Sequence, residues 1–209
     1  MSLATAFPKR GRGGIAAWTF LLVLLSACAT EGGAYDYRRE PDPRSAEFPI
    51  GPGDRLQINV WRDQELSTDA RVRPDGAITV PLVGDVRASG RTASQIRDEI
   101  QSKLTAFMKS ETAKVTVIVA EVRSYYFTVS GNVERPGLYR AGSYVTVLEA
   151  ITMAGEPNRY ASPSRLTVLR RDPGGGNVKR IPIDYETLRK GQRMEQNIVV
   201  LSGDNIVVP

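Results

Sequence analysis

Strings rich in Gly, Pro and Asp recur throughout residues 48–209 and separate this part of the chain into short apolar segments. Because Pro presets φ and Gly accepts a positive φ, each string predicts a tight turn. Between the turns, segments such as Leu56, Ile58 and Val60 alternate apolar with polar positions, which is the period of a half-buried strand. Helical signals are few, so the chain is expected to be an α+β protein built from small sheets.

A first folded unit is predicted over residues 48–123, and it opens on the turn string Phe48 to Asp54. The string Val72 to Gly76 predicts a hairpin turn that leads into a strand over residues 77–81. Thr92 to Gln95 matches a capping box, and the apolar positions that follow at helical spacing are Ile96, Ile100, Leu104 and Phe107. The β-branched run at residues 115–122 predicts a last strand. We expect the helix to pack on a small mixed β-sheet.

A second folded unit is predicted over residues 124–209. Its alternating segments predict strands at residues 126–130, 138–139, 166–170, 178–183, 198–201 and 206–208. Thr146 to Glu149 is a second capping box, and Gly155 lies where a helix C-terminal cap belongs. The loop from Asp172 to Asn177 is polar and rich in glycine, so it is expected at the surface.

Residues 1–27 have the pattern of a bacterial signal peptide. Cations at Lys9, Arg10 and Arg12 precede an apolar run over residues 15–25, which is too short to span a bilayer comfortably. The following Leu25-Ser26-Ala27-Cys28 resembles the bacterial lipobox, so Cys28 is the predicted lipid attachment site. An ordinary signal peptide cleaved at this point, or an uncleaved anchor, is the alternative. Because no aspartate follows Cys28, the outer membrane is the expected destination.

Residues 28–47 contain Gly32-Gly33, Pro41 and Pro43 among mixed charges and show no apolar period. This composition predicts a flexible, solvated tether. Coil scaling gives a tether of this length a root-mean-square span of roughly 25 Å, so the folded units would hang below the lipid surface.

The composition narrows the function classes. The sequence contains one Cys and no His, which excludes an internal disulfide, a Ser-His or Cys-His nucleophile pair and a zinc site with His ligands. Removal of the signal peptide leaves 25 of the 28 cations against 23 acids. This near balance argues against a nucleic-acid partner. The enzyme classes that the composition leaves open rely on carboxylates or, in a few cases, on lysine.

Several short sequence motifs occur in the same order as in a known protein family. The first unit resembles a polysaccharide export domain through Ile50 to Asp54, Val72 to Gly76, Pro81 to Val86 and Gly90 to Thr92. The second resembles the soluble-ligand-binding β-grasp (SLBB) module through Val129 to Val133, Pro136-Gly137, Leu148 to Ile151, Ala154-Gly155 and Gly203 to Pro209. Behind the lipobox, the chain resembles the outer-membrane polysaccharide export lipoproteins, in a short type without the C-terminal membrane-spanning helix. Where the family commonly doubles the glycine, this chain has Gly155-Glu156, which leaves the helix-exit geometry open.

The resemblance implies that the chain has no enzyme activity, no catalytic residues, no cofactor and no metal site, and that the motif residues build turns rather than an active site. These residues are Gly51, Gly53, Asp54, Arg73, Pro74, Asp75, Gly76, Pro81, Gly84, Gly131, Pro136, Gly137, Gly203 and Asp204. It also implies a lipoprotein of the outer membrane, with its body facing the periplasm, in a capsule or exopolysaccharide export conduit. The implied partners are further copies of the chain in a ring, an inner-membrane polysaccharide co-polymerase, a separate outer-membrane β-barrel pore, the passing polysaccharide, and membrane lipid through Cys28.

Two groups of side chains are candidates for contacts beyond these motifs. A basic hairpin around the glycine loop is either a pair of solvated strand ends or a contact for acidic polysaccharide or a partner; it comprises Arg170, Arg171, Lys179 and Arg180. An aromatic group is either core and interface area or a platform for sugar stacking; it comprises Trp61, Tyr125, Tyr126 and Phe127.

Two other functions fit parts of the pattern. A lipid-anchored binding or regulatory adaptor of the synthesis machinery would use the same two units without forming a ring. A glycosidase or lyase that relies on carboxylates is disfavoured, because small turn-rich units leave little room for an enclosed cleft.

Overall fold

The computed structural model describes residues 35–107, 113–172 and 176–209. The predicted signal peptide, Cys28 and the first part of the predicted tether lie outside these residues. Two separate hydrophobic cores lie within residues 35–209. One core draws its buried residues from Ile50 to Val115 and the other from Tyr125 to Val208. The chain passes from one core to the other in the short segment around Ser124.

The first domain has one helix and two antiparallel sheets within the described residues. Its elements are β1 (Arg55–Val60), β2 (Asp63–Arg71), β3 (Ala77–Val80), β4 (Gly84–Arg87), α1 (Ala93–Leu104) and β5 (Val115–Glu121). Strand β1 lies between β2 and β5 and pairs antiparallel with both, while β3 and β4 form a separate hairpin. Both sheets are therefore antiparallel, and parallel pairing occurs in the second domain instead.

The turn at Val72 to Gly76 leads into β3 as predicted, and the Gly76 N–H donates to the carbonyl oxygen of Arg73 at 2.9 Å. Strand β3 nevertheless pairs with β4 and not with the strand that precedes the turn. Strand β2 was not predicted, because Leu66 and Ala70 are its only buried side chains among nine residues. Pairing with β1, rather than its own apolar pattern, keeps this segment extended.

Helix α1 begins at the predicted capping box. The Thr92 side chain accepts the N–H of Gln95, and the Gln95 side chain accepts the N–H of Thr92. Ile96, Ile100 and Leu104 are fully buried against the first core. The prediction that Phe107 continues this face is wrong, because the helix ends at Leu104 and Phe107 is 62% exposed.

The second domain is a five-stranded mixed sheet with two helices within the described residues. Its elements are β6 (Tyr126–Gly131), β7 (Gly137–Arg140), α2 (Val147–Met153), β8 (Leu166–Arg171), β9 (Val178–Ile183), α3 (Tyr185–Arg189) and β10 (Asn205–Val208). The strand order is β7-β6-β10-β8-β9, with β10 parallel to β6 and antiparallel to β8. The α+β class is confirmed. The predicted strand at 198–201 is wrong, because this segment forms only an isolated bridge at Val199.

Helix α2 begins at the predicted capping box of Thr146 and Glu149. At its C-terminal end the N–H of Glu156 donates to Ile151 and the N–H of Gly155 donates to Thr152, which is the Schellman pattern. Glu156 has a φ of +70°, a left-handed conformation that glycine adopts more readily. Its carboxylate accepts the Tyr185 hydroxyl at 2.7 Å, so a side-chain contact holds this residue in place.

Residues 35–46 differ from the expected solvated tether. They form two short 3-10 turns, Tyr37–Arg39 and Pro43–Ser45, and the rings of Tyr35 and Tyr37 pack against the second core. The Tyr37 hydroxyl donates to the carbonyl oxygen of Pro182 in the edge strand β9 at 2.6 Å. We call residues 35–46 the strap. The strap docks through the rings of Tyr35 and Tyr37 and through the buried carboxylate of Glu40. The mixed composition of this segment does not indicate these contacts.

Candidate functional site

Asp54 is a fully buried carboxylate at the junction between the two domains. Its Oδ2 accepts the Gly51 N–H at 2.8 Å and the Ser124 hydroxyl at 2.8 Å. Its Oδ1 accepts the N–H groups of Arg123 and Ser124, each at 2.7 Å. One side chain thus closes the turn before β1 and also holds the segment that leads into the second domain.

Asp204 is the corresponding carboxylate of the second domain. Its Oδ2 accepts the N–H of Leu201 at 2.7 Å, the same three-residue spacing as Gly51 to Asp54. Arg170 donates to Asp204 through Nε at 3.1 Å and through Nη2 at 2.6 Å. Both aspartates are therefore fixed parts of the scaffold.

Arg73 joins two carboxylates at the surface of the first domain. Its Nη2 lies 2.8 Å from Asp75 and 2.9 Å from Asp85. Hydrogen bonds from Arg73 lower the pKa of both carboxyl groups. This exposed triad fixes the Pro74 turn against the β3–β4 hairpin.

Gly131 ends β6 at a point where no side chain fits. Its φ is +92°, and a Cβ built there would lie 2.0 Å from the carbonyl oxygen of Val208. The remaining motif residues border strands: Gly53 precedes β1, Pro74 and Gly76 precede β3, Pro81 and Gly84 flank the β3–β4 turn, Pro136 and Gly137 lie at the start of β7, and Gly203 precedes β10. The motif residues are thus spread over both domains and do not converge on one cleft.

Strand alternation divides the predicted basic hairpin between the two faces of the sheet. Arg170 lies opposite Lys179 across β8 and β9, whereas Arg171 and Arg180 occupy the alternate positions of the same strands. Arg170 is 7% exposed, so its prediction as a surface contact is wrong. Its Nη1 lies 2.8 Å from Glu40 in the strap, and Lys179 binds the same carboxylate.

Glu40 is the acid at the centre of this cluster, and its side chain is 2% exposed. Burial by itself would raise the pKa of Glu40, but hydrogen bonds from Lys179 and Tyr35 and the charges of Lys179 and Arg170 lower it overall. The hydrogen bond to Glu40 raises the pKa of Lys179 in turn. Arg170 and Lys179 are therefore engaged within the molecule, while Arg171 and Arg180 point away from Glu40.

The opposite side of the five-stranded sheet is uncovered within the described residues. Helices α2 and α3 contribute to the core on the other side, with Phe127, Val129 and Ile206. We call this side the open face; its residues are Tyr126, Thr128, Ser130, Leu138, Arg140, Thr167, Leu169, Arg171, Val178, Arg180, Pro182, Asn205 and Val207. It contains three arginines and no carboxylate.

The register aligns the open-face residues in rows across the strands. One complete row is Leu138, Thr128, Asn205, Leu169 and Arg180, and the next is Ser130, Val207, Thr167 and Pro182. Arg140 lies beside Tyr126 at one side of the face, and Arg171 lies beside Val178 at the other. The cations thus border a central strip of hydroxyl and amide groups that also contains Leu169 and Val207.

The four aromatic residues singled out in the sequence do not form one platform. Tyr125 and Phe127 are buried in the second core, with ring centroids 6.2 Å apart. Tyr126 is 41% exposed on the open face, and Trp61 is 62% exposed on the first domain. The side chain of Arg62 lies over the Trp61 ring at 5.7 Å. Only Tyr126 therefore lies on the same face as the outward arginines.

A groove of about 500 Å³ lies beside α3, on the other side of the sheet from the open face, and Glu156, Tyr185 and Arg189 contribute to its lining. Burial and the hydrogen bond to Glu156 raise the pKa of Tyr185. Within the part of the chain that the structure describes, no group of three or more Cys, Asp or Glu residues could hold a metal ion. No helix in the same residues has the length and apolar character needed to cross a membrane.

Comparison with known families finds two matches, in the order of the two domains. Residues 42–120 match the family of polysaccharide biosynthesis/export proteins. Residues 126–182 match the SLBB domain. The segment between the two matched regions contains Arg123 and Ser124, whose N–H groups donate to Asp54.

Three similar proteins illustrate the relationship. The chain is 32% identical over 155 residues to the exopolysaccharide production protein ExoF of Rhizobium meliloti, a match that covers 69% of this chain and 35% of that protein. It is 29% identical over 152 residues to the EPS I polysaccharide export outer membrane protein EpsA of Ralstonia solanacearum, covering 61% of this chain and 40% of that protein. It is 28% identical over 115 residues to the polysialic acid transport protein KpsD of Escherichia coli, covering 54% and 20%. The chain thus spans well under half of the length of each relative.

Proposed function

The chain belongs to the outer-membrane polysaccharide export family, and on this premise we propose that it is a subunit of a conduit that carries capsule or exopolysaccharide out of the cell. The observation that carries the proposal is the presence of a polysaccharide biosynthesis/export domain and an SLBB domain in one chain, in that order. The names of the relatives describe production, export and transport of polysaccharides.

The subunits form a ring through head-to-tail contacts. Such heterologous interfaces close only when the rotation from one subunit to the next divides a full circle. A rigid subunit favours closure of the ring. The four hydrogen bonds to Asp54 tie the first domain to the segment that leads into the second domain. The partners in this assembly are an inner-membrane polysaccharide co-polymerase and a separate outer-membrane pore.

Lipid chains on Cys28 hold the ring at the outer membrane with its body in the periplasm. The lipobox Leu25 to Cys28 and the absence of an aspartate after Cys28 support this placement. Each buried CH₂ group of a lipid chain contributes about 0.8 kcal/mol, so several chains bind a membrane far better than one. Two relatives are named outer membrane export proteins, which agrees with the same compartment.

The native mass of the assembly separates the conduit from the ring-free adaptor. Full-length lipidated protein is extracted in mild detergent, and its mass is measured by light scattering during size-exclusion chromatography. The conduit predicts one closed oligomer with a fixed number of subunits. A strict monomer, both in extracts and after reconstitution with the co-polymerase, would favour the adaptor.

A further inference from the structure

We infer that the open face of the five-stranded sheet binds an anionic polysaccharide, with Arg140, Arg171 and Arg180 contacting the acidic groups of the polymer. This inference rests on the proposed export function and names the charge class of the exported chain. It concerns the side of the SLBB sheet that faces away from α2 and α3.

The charged side chains of the open face are all cationic. Its three arginines are exposed, and none of them forms an ion pair with a carboxylate among the described residues. Arg170 and Lys179, on the alternate positions of β8 and β9, are both held by acids. The same hairpin therefore neutralises its inward cations and leaves its outward cations available for an external anion.

The spacing of the arginines favours a polymer over a small anion. Neighbouring strands lie about 4.8 Å apart, so Arg140 on β7 and Arg171 on β8 are separated by roughly 14 Å across three strand gaps. Arg180 on β9 lies one strand farther. Arg171 and Arg180 are diagonal neighbours on adjacent strands, so one carboxylate or phosphate can reach both, whereas an extended chain with repeated acidic groups can also reach Arg140.

The remaining side chains of the open face suit a saccharide. Thr128 and Thr167 supply hydroxyl groups in the central strip that can donate to or accept from sugar hydroxyls. The Ser130 hydroxyl donates to the Asn205 amide oxygen at 3.0 Å, which leaves the Asn205 NH₂ group to donate to a sugar. The Tyr126 ring is 41% exposed beside Arg140 and offers an apolar surface with a polar tip. The face thus combines cations, small polar groups and one aromatic ring.

A protein partner fits the open face less well. Protein interfaces place apolar side chains at the centre and polar groups at the rim. Here the exposed aliphatic side chains Leu138 (51%) and Val178 (54%) lie on the edge strands β7 and β9. The centre mixes polar residues with Leu169 and Val207, so it is less apolar than the core of a protein interface, and a sliding polymer requires no apolar centre.

Binding is tested with full-length detergent-solubilised protein and two polymers of matched length, anionic polygalacturonate and neutral dextran. The variant Arg140→Gln/Arg171→Gln/Arg180→Gln removes the open-face cations. The control Arg62→Gln/Arg71→Gln/Arg87→Gln removes the same charge from exposed positions of the first domain. We expect the open-face variant to weaken polygalacturonate binding by about tenfold at low salt, since each exposed charge contact contributes modestly, and the control by less than about twofold.

The inference is wrong if polygalacturonate binding falls equally in the open-face variant and in the control. It is also wrong if dextran binds as tightly as polygalacturonate, or if the open-face variant binds polygalacturonate as tightly as the wild type does. A fall in native mass of the open-face variant would show instead that the face contacts another copy of the chain. If the wild-type protein supports export but does not bind polygalacturonate, the inference fails while the proposed function stands. If deletion of the gene for this chain leaves polysaccharide export unchanged, the proposed function itself fails.

Discussion

Asp54 and Asp204 perform the same local task in the two domains, since each accepts the N–H of the residue three positions before it. This turn role could be predicted from the sequence, because an Asp side chain in a turn readily hydrogen-bonds to nearby backbone groups. Their distant partners could not be predicted. Asp54 binds Arg123 and Ser124, and Asp204 binds Arg170, so these contacts exist only once the sheets have formed.

The substitution Asp54→Asn should lower the free energy of unfolding by about 2–4 kcal/mol. An amide NH₂ would replace one of two oxygens that together accept four hydrogen bonds, and buried bonds to a charged group are strong. Urea denaturation measures the loss. Asp98→Asn is the control, because Asp98 is exposed and pairs only with its neighbour Arg97, and it should change stability by less than about 0.5 kcal/mol.

Gly131 and Gly137 provide a matched pair of glycine substitutions near the same turn. Gly131→Ala should lower stability by about 2 kcal/mol or more, because φ is +92° and the new Cβ would meet the Val208 carbonyl. Gly137→Ala should change it by less than about 1 kcal/mol, since nothing lies within 4 Å of its Cβ position. Thermal unfolding of both variants checks the contrast, and equal effects would contradict the register of β10 on β6.

Among the helices and strands, those that begin with a strong local sequence pattern are the predictable ones. Helices α1 and α2 could be predicted because a capping box marks each start. Strand β2 could not, since most of its side chains are exposed, and α3 is too short to show a period. The polar composition of the strap predicts a tether, while its docking depends on an ion pair between Glu40 and Arg170, which lies far along the chain.

The strap should loosen in the variant Glu40→Gln. A neutral amide loses the ion pairs to Arg170 and Lys179, and stability at pH 7 should fall by about 1–3 kcal/mol. Hydrogen exchange of residues 37–46 should accelerate. Glu65→Gln, an exposed position on β2, is the control and should leave both measurements unchanged.

The same contact predicts a pH dependence. The folded pKa of Glu40 is lowered, so its contribution is fully present above the unfolded value of about 4.3 and is lost as pH falls through the folded pKa. Wild type and Glu40→Gln should therefore differ in stability at pH 7 and converge in acid. A constant difference between them at all pH values would show that Glu40 does not act as a carboxylate.

The order of the turn motifs along the chain predicts an export domain followed by an SLBB domain, and both family matches agree with this order. Strand alternation predicts that adjacent residues such as Arg170 and Arg171 face opposite sides of the sheet. The burial of Arg170 could not be predicted, because it depends on Glu40, which lies far away in the sequence. The candidate surface therefore includes Arg140 from β7 and Tyr126 from β6 but neither Arg170 nor Lys179, which both bind Glu40.

The anchor is tested by Cys28→Ser. Without the thiol no lipid can be attached, so the protein should remain unprocessed or become soluble in the periplasm, as measured by fractionation and immunoblotting. Ser26→Ala, which keeps a small residue in the lipobox, should behave as wild type. Fractionation of Cys28→Ser with the outer membrane at the wild-type level would refute the assignment.

The most direct test of the export function measures polysaccharide on both sides of the outer membrane after deletion of this chain. The conduit predicts that polymer disappears from the cell surface and medium, remains in the periplasm, and returns to the outside when the wild-type chain is restored. Unchanged surface and extracellular polysaccharide in the deletion strain would contradict a role in export.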